Sequence, residues 1–350
     1  MLSSNDINRI PVKNLYYMLV YAWDHPYEKD IISVYDEDEK DLLNLLSKIL
    51  LIKVKSLIKR GLYKEYTENK EESSIIRGKI LFKESIQTFS HKRGKMHILE
   101  EDMSHDIPHN QLIKATLYYL SRNEEVEKQY RDEIKKVLPY FNSVSLIQIN
   151  HRFFNMIKLH RNNQHYQFIL DVCQFILQNS LLHEGDSNKL FQNFSRDHQK
   201  VARLFENFVK NFYRKEIQGA TAKSEMMQWP AEGDSTDLLP IMKTDISLRL
   251  GGRKIIIDTK FYKDGLASHW NKETVHSAHL YQLFAYLNND VYYSNNKATG
   301  ILLYPEVHKS INLYYQIHGF DVKICTVDLA QNWRGIHERL LEIVKGHLEF

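Results

Sequence analysis

Residues 243–263 restrict the fold of this 350-residue chain more than any other segment. Polar and apolar side chains alternate over residues 243–250, as they do in a strand with one buried face. Gly251 and Gly252 follow, and adjacent glycines favour a two-residue hairpin turn because both positions need a positive φ. A second stretch of β-forming residues covers 253–262. The segment therefore predicts an antiparallel hairpin.

The length of the turn sets the register of this hairpin. If Leu250 faces Arg253, then Asp245 lies directly opposite Asp258. Opposed residues of an antiparallel pair share a face, with Cβ atoms roughly 4.5–5.5 Å apart. Lys260 lies two residues beyond Asp258 and points to the same face. A three-residue turn would separate the aspartates, so the prediction requires two residues, or four with the same register.

Three charged groups on one face of a strand pair indicate metal-dependent hydrolysis. Two close carboxylates raise each other's pKa unless a cation lies between them. Mg²⁺ prefers carboxylate and carbonyl oxygens, which makes Asp245, Asp258 and the Thr259 carbonyl candidate metal ligands. Lys260 would orient or deprotonate the attacking water and offset transition-state charge, so Asp245, Asp258 and Lys260 are the candidate catalytic residues. The alternative is a surface hairpin with solvated aspartates and an ordinary salt bridge.

Two predicted helices carry supporting residues. Glu206 interrupts the apolar face of a helix over residues 199–215 and is a candidate further carboxylate, unless it is a solvated helix charge. Gln282 and Tyr286 lie four residues apart on a helix over 274–287, so they share a face and could reach DNA phosphate or the attacking water. The alternatives are a surface amide for Gln282 and core packing for Tyr286.

The order of predicted elements gives an α/β (α+β) fold class with two domains. The polar stretch 183–198 is the predicted linker between an N-terminal mixed α/β domain, 1–182, and a C-terminal domain, 199–350. The N-terminal half is predicted to hold helices, a polar stretch at 68–74 and two strands, at 75–82 and 96–101. The predicted helices in that half cover residues 42–62, 110–122, 124–137 and 168–181.

Composition excludes several classes of protein. No apolar run reaches the roughly 20 residues that span a bilayer, and the first residues lack the apolar segment of a signal peptide, so we expect a cytoplasmic protein without membrane contact. Cys173 and Cys325 are isolated in apolar surroundings, which argues against disulfides and zinc. The net charge of +3 permits nucleic-acid binding without requiring it.

These residues resemble the PD-(D/E)xK nuclease superfamily and, more closely, the McrC family of nuclease subunits from McrBC restriction systems. Asp245 and the Asp258-Thr259-Lys260 run match the catalytic signature, and Gln282 with Tyr286 matches a QxxxY helix. Thr244 departs from the pattern, because proline often precedes the first aspartate. Further matching segments are spread over the chain, at residues 10–23, 77–80, 110–114, 303–305 and 319–321.

The resemblance implies a restriction-endonuclease-like domain with a mixed sheet flanked by helices, and an N-terminal half that docks on a partner. The implied partner is a ring of McrB-like AAA+ GTPase that recognises DNA with modified cytosine, and whose GTP hydrolysis this chain stimulates. The chain has no GxxxxGK[ST] loop, which agrees with GTP being bound by the partner. Lys92, Arg93 and Lys95 form a basic loop that could contact the partner or DNA, or could simply be solvated.

The implied function is a Mg²⁺-dependent endonuclease that cuts double-stranded DNA when a GTP-driven motor recruits it. Whether two nuclease domains meet for a double-strand cut stays open. Two alternatives remain at this point. The chain could be a non-catalytic adaptor that activates the GTPase, or a free-standing repair exonuclease of the same superfamily.

Overall fold

The computed structural model describes residues 10–31, 41–150, 152–181, 197–261, 266–269, 272–294, 297–306 and 309–346. The chain forms two compact units, Leu43–Asn188 and a second unit that combines Met1–Leu42 with Lys189–Phe350. This division differs from the predicted domain boundary, which placed residues 1–182 together. Of the predicted linker, 183–198, only the last two residues are described.

Helix α1 (Val12–Ala22) explains why the N-terminal segment belongs with the C-terminal part. Most of its residues are buried, so the helix needs a covering surface on nearly every side. The Asn14 side chain donates to the Leu329 carbonyl at 2.8 Å, and the Asn211 side chain donates to the Tyr21 carbonyl at 2.9 Å. Sequence patterns show that such a helix is covered, but they do not show by which later segment.

The unit Leu43–Asn188 combines helices with an antiparallel sheet of strand order β1-β3-β2. Its elements are α2 (Leu42–Arg60), β1 (Glu65–Ser73), β2 (Lys79–Ile80), α3 (Phe82–Gln87), β3 (Met96–Ser104), α4 (Pro108–Arg122), α5 (Lys128–Val137) and α6 (Gln167–Leu181).

The predicted first strand of this sheet is wrong in its position. The long strand is Glu65–Ser73, where the sequence indicated only a polar stretch, and it pairs with β3 along its full length. Only Lys79–Ile80 of the predicted strand 75–82 is in the sheet. The side chains of β1 are largely exposed, so the strand lacks the apolar alternation that identifies a half-buried strand.

In the other unit, the described residues form a mixed sheet of strand order β12-β13-β11-β8-β7-β4. Strand β11 is parallel to β8 and β13, and the remaining neighbours are antiparallel. The predicted α/β class is confirmed. The elements are α7 (His198–Glu216), β4 (Thr221–Lys223), β5 (Met226–Met227), β6 (Met242–Lys243), β7 (Ile246–Leu250), β8 (Arg253–Thr259), β9 (Leu266–His269), β10 (Lys272–Val275), α8 (Ser277–Ser294), β11 (Thr299–Pro305), β12 (Asn312–Ile317), β13 (Phe320–Val327) and α9 (Trp333–Lys345).

Two helices hold the central strands of this sheet. Helix α7 packs against β4, β7 and β8, and α8 packs against β8 and β11. Leu283 and Leu287 of α8 share a buried core with Ile256 of β8. The approach is close, because a Cβ added to Gly300 of β11 would lie 2.9 Å from Leu287 Cδ1. The helix is thereby fixed over the strand that carries Asp258.

Candidate functional site

The predicted hairpin and its register are confirmed. Gly251 and Gly252 have φ values of +56° and +81°, as a two-residue turn of this kind requires. Pairing runs from Leu250↔Arg253 to Ile246↔Ile257. The next residues on the two strands are Asp245 and Asp258. The regular ladder thus ends where the two carboxylates begin.

Asp258, at the end of the second strand of the hairpin, is completely buried. The ammonium of Lys260 lies 3.0 Å from Oδ1 and 2.9 Å from Oδ2 of this residue. Among the described residues, Oδ2 accepts no hydrogen bond of regular geometry and is contacted only through the Lys260 ion pair. Burial raises the pKa of Asp258 to about 7; Lys260 opposes that rise, and the charges of Asp245 and Glu206 add to it. Lys260 therefore does not fully compensate the Asp258 carboxylate.

Asp245 is held by the strand opposite to it. The Thr259 main-chain N–H donates to Asp245 Oδ2 at 2.8 Å, and the Thr259 hydroxyl donates to the same oxygen at 2.9 Å. The predicted role of Thr259 was to offer its carbonyl to a metal. The structure adds a different role, in which Thr259 orients a carboxylate that is a candidate ligand.

Glu206 of α7 is part of the same electrostatic group. Burial raises its pKa, and the charge of Asp245 raises it further, while Lys210, Lys243 and Arg203 lower it. Because Asp245 perturbs both Glu206 and Asp258, the three acids lie within electrostatic reach of one another. The structure therefore brings the predicted further carboxylate into the neighbourhood of the aspartates.

Gln282 and Tyr286 connect α8 to the hairpin. Lys260 donates to Gln282 Oε1 at 2.9 Å, and Gln282 Nε2 donates to the Tyr286 hydroxyl at 2.8 Å. Tyr286 is buried and donates to the Lys243 carbonyl at 2.8 Å. The two residues thus hold Lys260 and the start of the hairpin. Contact with DNA or water stays a prediction for Gln282.

The predicted contact residues Lys92, Arg93 and Lys95 lie in the other unit, Leu43–Asn188. Arg93 forms an ion pair with Glu72 at 2.8 Å, and the Lys92 ammonium lies 4.8 Å from the centre of the Phe89 ring. These contacts within the unit account for two of the three side chains. Their contact with a partner or with DNA stays a prediction.

Comparisons with known proteins identify the family of the chain. A family profile described as McrBC 5-methylcytosine restriction system component matches residues 3–305. The chain belongs to the McrBC restriction family. The Type IV methyl-directed restriction enzyme EcoKMcrBC of Escherichia coli (strain K12) is 32% identical over 343 residues, which are 97% of this chain and 99% of that protein. The resemblance seen in the sequence is confirmed.

Two solved structures from Thermococcus gammatolerans are similar to this McrBC-family chain. One is a half-complex from a tetradecameric assembly of McrB AAA+ hexamers with bound McrC, with a TM-score of 0.60 and 14% identity over 96% of this chain and 76% of that chain. The other is an McrBC complex, with a TM-score of 0.42 and 16% identity over 59% and 58% of the two chains. The first likeness shows a shared fold.

The donor set of this McrBC-family chain suits a hard divalent cation. Among the described residues, no three His, Cys, Asp or Glu side chains stand close enough together to hold a metal. Mg²⁺ does not need three, because proteins usually bind it through one or two carboxylates, with water and phosphate as the other ligands. Asp258 offers a buried oxygen that accepts no regular hydrogen bond from the described residues, is paired with Lys260, and lies near a second carboxylate. These residues fit the ion.

Sequence reasoning missed two residues near this site. His279 accepts or donates a hydrogen bond with the buried Tyr304 hydroxyl at 2.9 Å, and burial, with Lys260 and His276 nearby, lowers its pKa to about 4. It lies one helical turn before Gln282, so the helical spacing could have shown it. Glu225 binds the strand end that carries Asp245, and no sequence pattern marks it.

None of the helices in the described part of the chain is long and apolar enough to cross a membrane.

Proposed function

We propose that this McrBC-family chain is the DNA-cleaving subunit of a GTP-dependent restriction complex. It hydrolyses phosphodiester bonds of DNA with modified cytosine, using Mg²⁺. The observation that carries the proposal is the group formed by Asp245, Asp258 and Lys260 at the open end of the hairpin. A buried aspartate with a pKa near 7 has no evident use in stability, whereas it suits a site that binds a cation.

Asp245 and Asp258 would hold the metal, with the Thr259 carbonyl as a further ligand and Glu206 as a nearby carboxylate. When bound, Mg²⁺ supplies a Lewis acid that polarises the scissile phosphate and acidifies a water molecule. The Lys260 ammonium now contacts both oxygens of Asp258. Lys260 would leave this position on metal binding and offset negative charge on the phosphate instead.

Gln282 and Tyr286 prepare Lys260 for this task. Because Gln282 donates through Nε2 to Tyr286, its Oε1 is directed to Lys260. Tyr286 in turn is fixed by the Lys243 carbonyl. When Lys260 leaves Asp258, the Gln282 carbonyl oxygen keeps the ammonium beside the carboxylates. The pair acts as a positioning device for the catalytic lysine.

The partner follows from the proteins to which this chain is similar. One solved neighbour contains McrB AAA+ hexamers with bound McrC, and the curated relative is a methyl-directed restriction enzyme. We propose that this chain likewise docks on an AAA+ GTPase ring in the cytoplasm and stimulates it. The unit Leu43–Asn188 would supply the docking surface, with Lys92, Arg93 and Lys95 as candidate contacts.

The test uses the complex reconstituted with its GTPase partner, methylated double-stranded DNA, GTP and Mg²⁺. Asp258→Asn keeps the shape of the side chain and removes its charge, and Lys260→Ala removes the ammonium. Each should lower the cleavage rate by about 10²–10³-fold or more. GTP hydrolysis measured in the same reactions should stay within about twofold of the wild type.

Asp321→Asn is the matched control, because Asp321 is a strand aspartate that accepts a hydrogen bond from the Tyr314 hydroxyl at the opposite edge of the sheet. It should cleave like the wild type. Full cleavage by both Asp258→Asn and Lys260→Ala would overturn the nuclease assignment and leave the adaptor role. Digestion of free DNA ends without the partner would instead indicate an exonuclease.

A further inference from the structure

We propose that Glu225 is a positioning residue for the metal-binding carboxylates. It ties the strand end that carries Asp245 to strand β8 and to helix α8. Glu225 touches none of the reacting groups, so it acts through the residues it holds. The inference rests on the proposed function, since it assigns a role toward the metal of that site.

The main chain of Glu225 forms hydrogen bonds with Thr244, the residue before Asp245. The Thr244 N–H donates to the Glu225 carbonyl at 3.0 Å, and the Glu225 N–H donates to Thr244 Oγ1 at 3.0 Å. Its neighbour Ser224 donates through Oγ to the Asp245 carbonyl at 2.8 Å. A proline at position 244 could make neither of the Thr244 contacts, because it lacks both the N–H and the hydroxyl. The threonine thus provides a specific anchor.

The side chain of Glu225 reaches the two other elements of the site. Its carboxylate lies 2.5 Å from Lys254 Nζ on β8 and 3.3 Å from two nitrogens of Arg249 on β7. Lys254 Nζ also lies 2.5 Å from Asp290 Oδ1 on α8. Lys254 comes four residues before Asp258, and Asp290 four residues after Tyr286. One network of ion pairs therefore joins both strands of the hairpin to helix α8.

Most of this network is shielded from solvent. The side chains of Lys254 and Asp290 are 7% and 5% exposed and that of Glu225 is 16% exposed, whereas that of Arg249 is 45% exposed. Charges that are this poorly solvated are costly to separate, so the pairs hold one arrangement. Burial opposes ionisation of Glu225, yet hydrogen bonds from Lys254 and Arg249 lower its pKa to about 2. The Glu225 carboxylate consequently stays charged at every pH at which the protein would work.

Asp245 and Asp258 repel each other, so their positions must be fixed by other contacts. Thr259 holds the Asp245 carboxylate, but the regular ladder ends before these residues, so main-chain pairing between β7 and β8 does not fix the backbone of Asp245. Residues that orient metal ligands from behind typically contribute a factor of 10–100 to metal affinity. Glu225 holds Asp245 through Thr244, and through Lys254 it holds the strand of Asp258. We therefore expect its effect on metal binding to exceed its effect on the chemical step.

The experiment measures binding of Mn²⁺, as a probe for Mg²⁺, to the full chain by electron paramagnetic resonance. Glu225→Gln should raise the dissociation constant about tenfold. In the reconstituted complex it should raise the Mg²⁺ concentration for half-maximal cleavage about as much, with the rate at saturating Mg²⁺ within about threefold of the wild type. Glu342→Gln is the control, because Glu342 pairs with Arg339 outside this network and should bind Mn²⁺ normally.

A second variant keeps the test decisive if Glu225→Gln does not fold. Thr244→Val preserves side-chain shape and the N–H bond but removes the hydroxyl that accepts from Glu225, and it should also weaken Mn²⁺ binding. Folded variants at both positions that bind Mn²⁺ within twofold of the wild type would overturn the inference alone. If Asp258→Asn also binds Mn²⁺ like the wild type, the proposed metal site itself fails.

Discussion

A cluster of charged side chains lies near each end of strand β8, and the two clusters are balanced differently. Near the start of β8, Lys254 pairs with Glu225 and Asp290, and Arg249 of β7 pairs with Glu225. Near its end, Lys260 is the cation that pairs with Asp258 among the described residues, with Asp245 and Glu206 nearby. The pKa of Glu225 is lowered to about 2, whereas burial raises the pKa of Asp258 to about 7.

We infer that the difference separates a structural cluster from the proposed metal site. Charges that neutralise each other inside a fold fix one geometry and leave nothing to bind. An excess of buried carboxylates destabilises the fold as long as no cation is bound. Relief of this destabilisation favours cation binding. Both clusters lie on one strand, so the balanced cluster can hold the framework of the unbalanced one.

The largest expected difference between the clusters is the loss of stability when the lysine of each cluster is replaced. Lys254→Met leaves Glu225 and Asp290 buried without their shared partner, and it should lower the free energy of unfolding by about 3–5 kcal/mol. Lys260→Met should lower it by less than about 1 kcal/mol at pH 6, because Asp258 can bind a proton instead. Urea denaturation at pH 6 measures both. Equal losses would remove the distinction between the clusters.

The pH dependence of stability should reflect Asp258. Its pKa in the folded chain, about 7, lies above its ordinary value. The stability that Asp258 contributes by binding a proton is therefore complete below about pH 4 and is lost as the pH rises through 7. Asp258→Asn should therefore stabilise the metal-free chain by about 2–4 kcal/mol at pH 8 and leave it unchanged near pH 4. Thermal unfolding in EDTA between pH 4 and 8 tests this. A variant curve parallel to the wild type would contradict it.

Replacing Glu206 should also stabilise the metal-free chain at high pH, but by less than replacing Asp258. Burial and Asp245 raise its pKa, but the residue is only half buried and Lys210, Lys243 and Arg203 oppose the rise. Glu206→Gln should stabilise the metal-free chain at pH 8 by less than about 1 kcal/mol. The same unfolding experiment measures it. A loss of stability would show that Glu206 makes a favourable contact that its place in the acid group does not imply.

The sequence was sufficient for the unbalanced cluster because local rules set its geometry. Two adjacent glycines determine the turn, the turn determines the register, and the register places Asp245 beside Asp258. Helical spacing likewise places Gln282 and Tyr286 on one face. Each of these steps uses residues that are close in sequence or paired across a single turn.

The balanced cluster could not be predicted, because its members come from separate elements of the fold. Glu225, Lys254 and Asp290 meet only after the segment between β4 and β5 has packed with β8 and α8, and none stands out in its own segment. The same reason explains the wrong N-terminal boundary, since the cover of helix Val12–Ala22 lies about 200 residues away or more. The strand Glu65–Ser73 was missed for a different reason. Its side chains are largely exposed, so its sequence lacks the alternation of polar and apolar residues that marks a half-buried strand.

The central claim is that a divalent cation binds between Asp245 and Asp258. Iron-mediated cleavage tests it directly: Fe²⁺ replaces Mg²⁺ in the full chain, and ascorbate with peroxide then generates hydroxyl radicals that cut the nearest main chain. We predict cuts close to residues 245 and 258, competed away by Mg²⁺ and absent in Asp258→Asn. Cuts that lie elsewhere, or that persist in Asp258→Asn, would contradict the account.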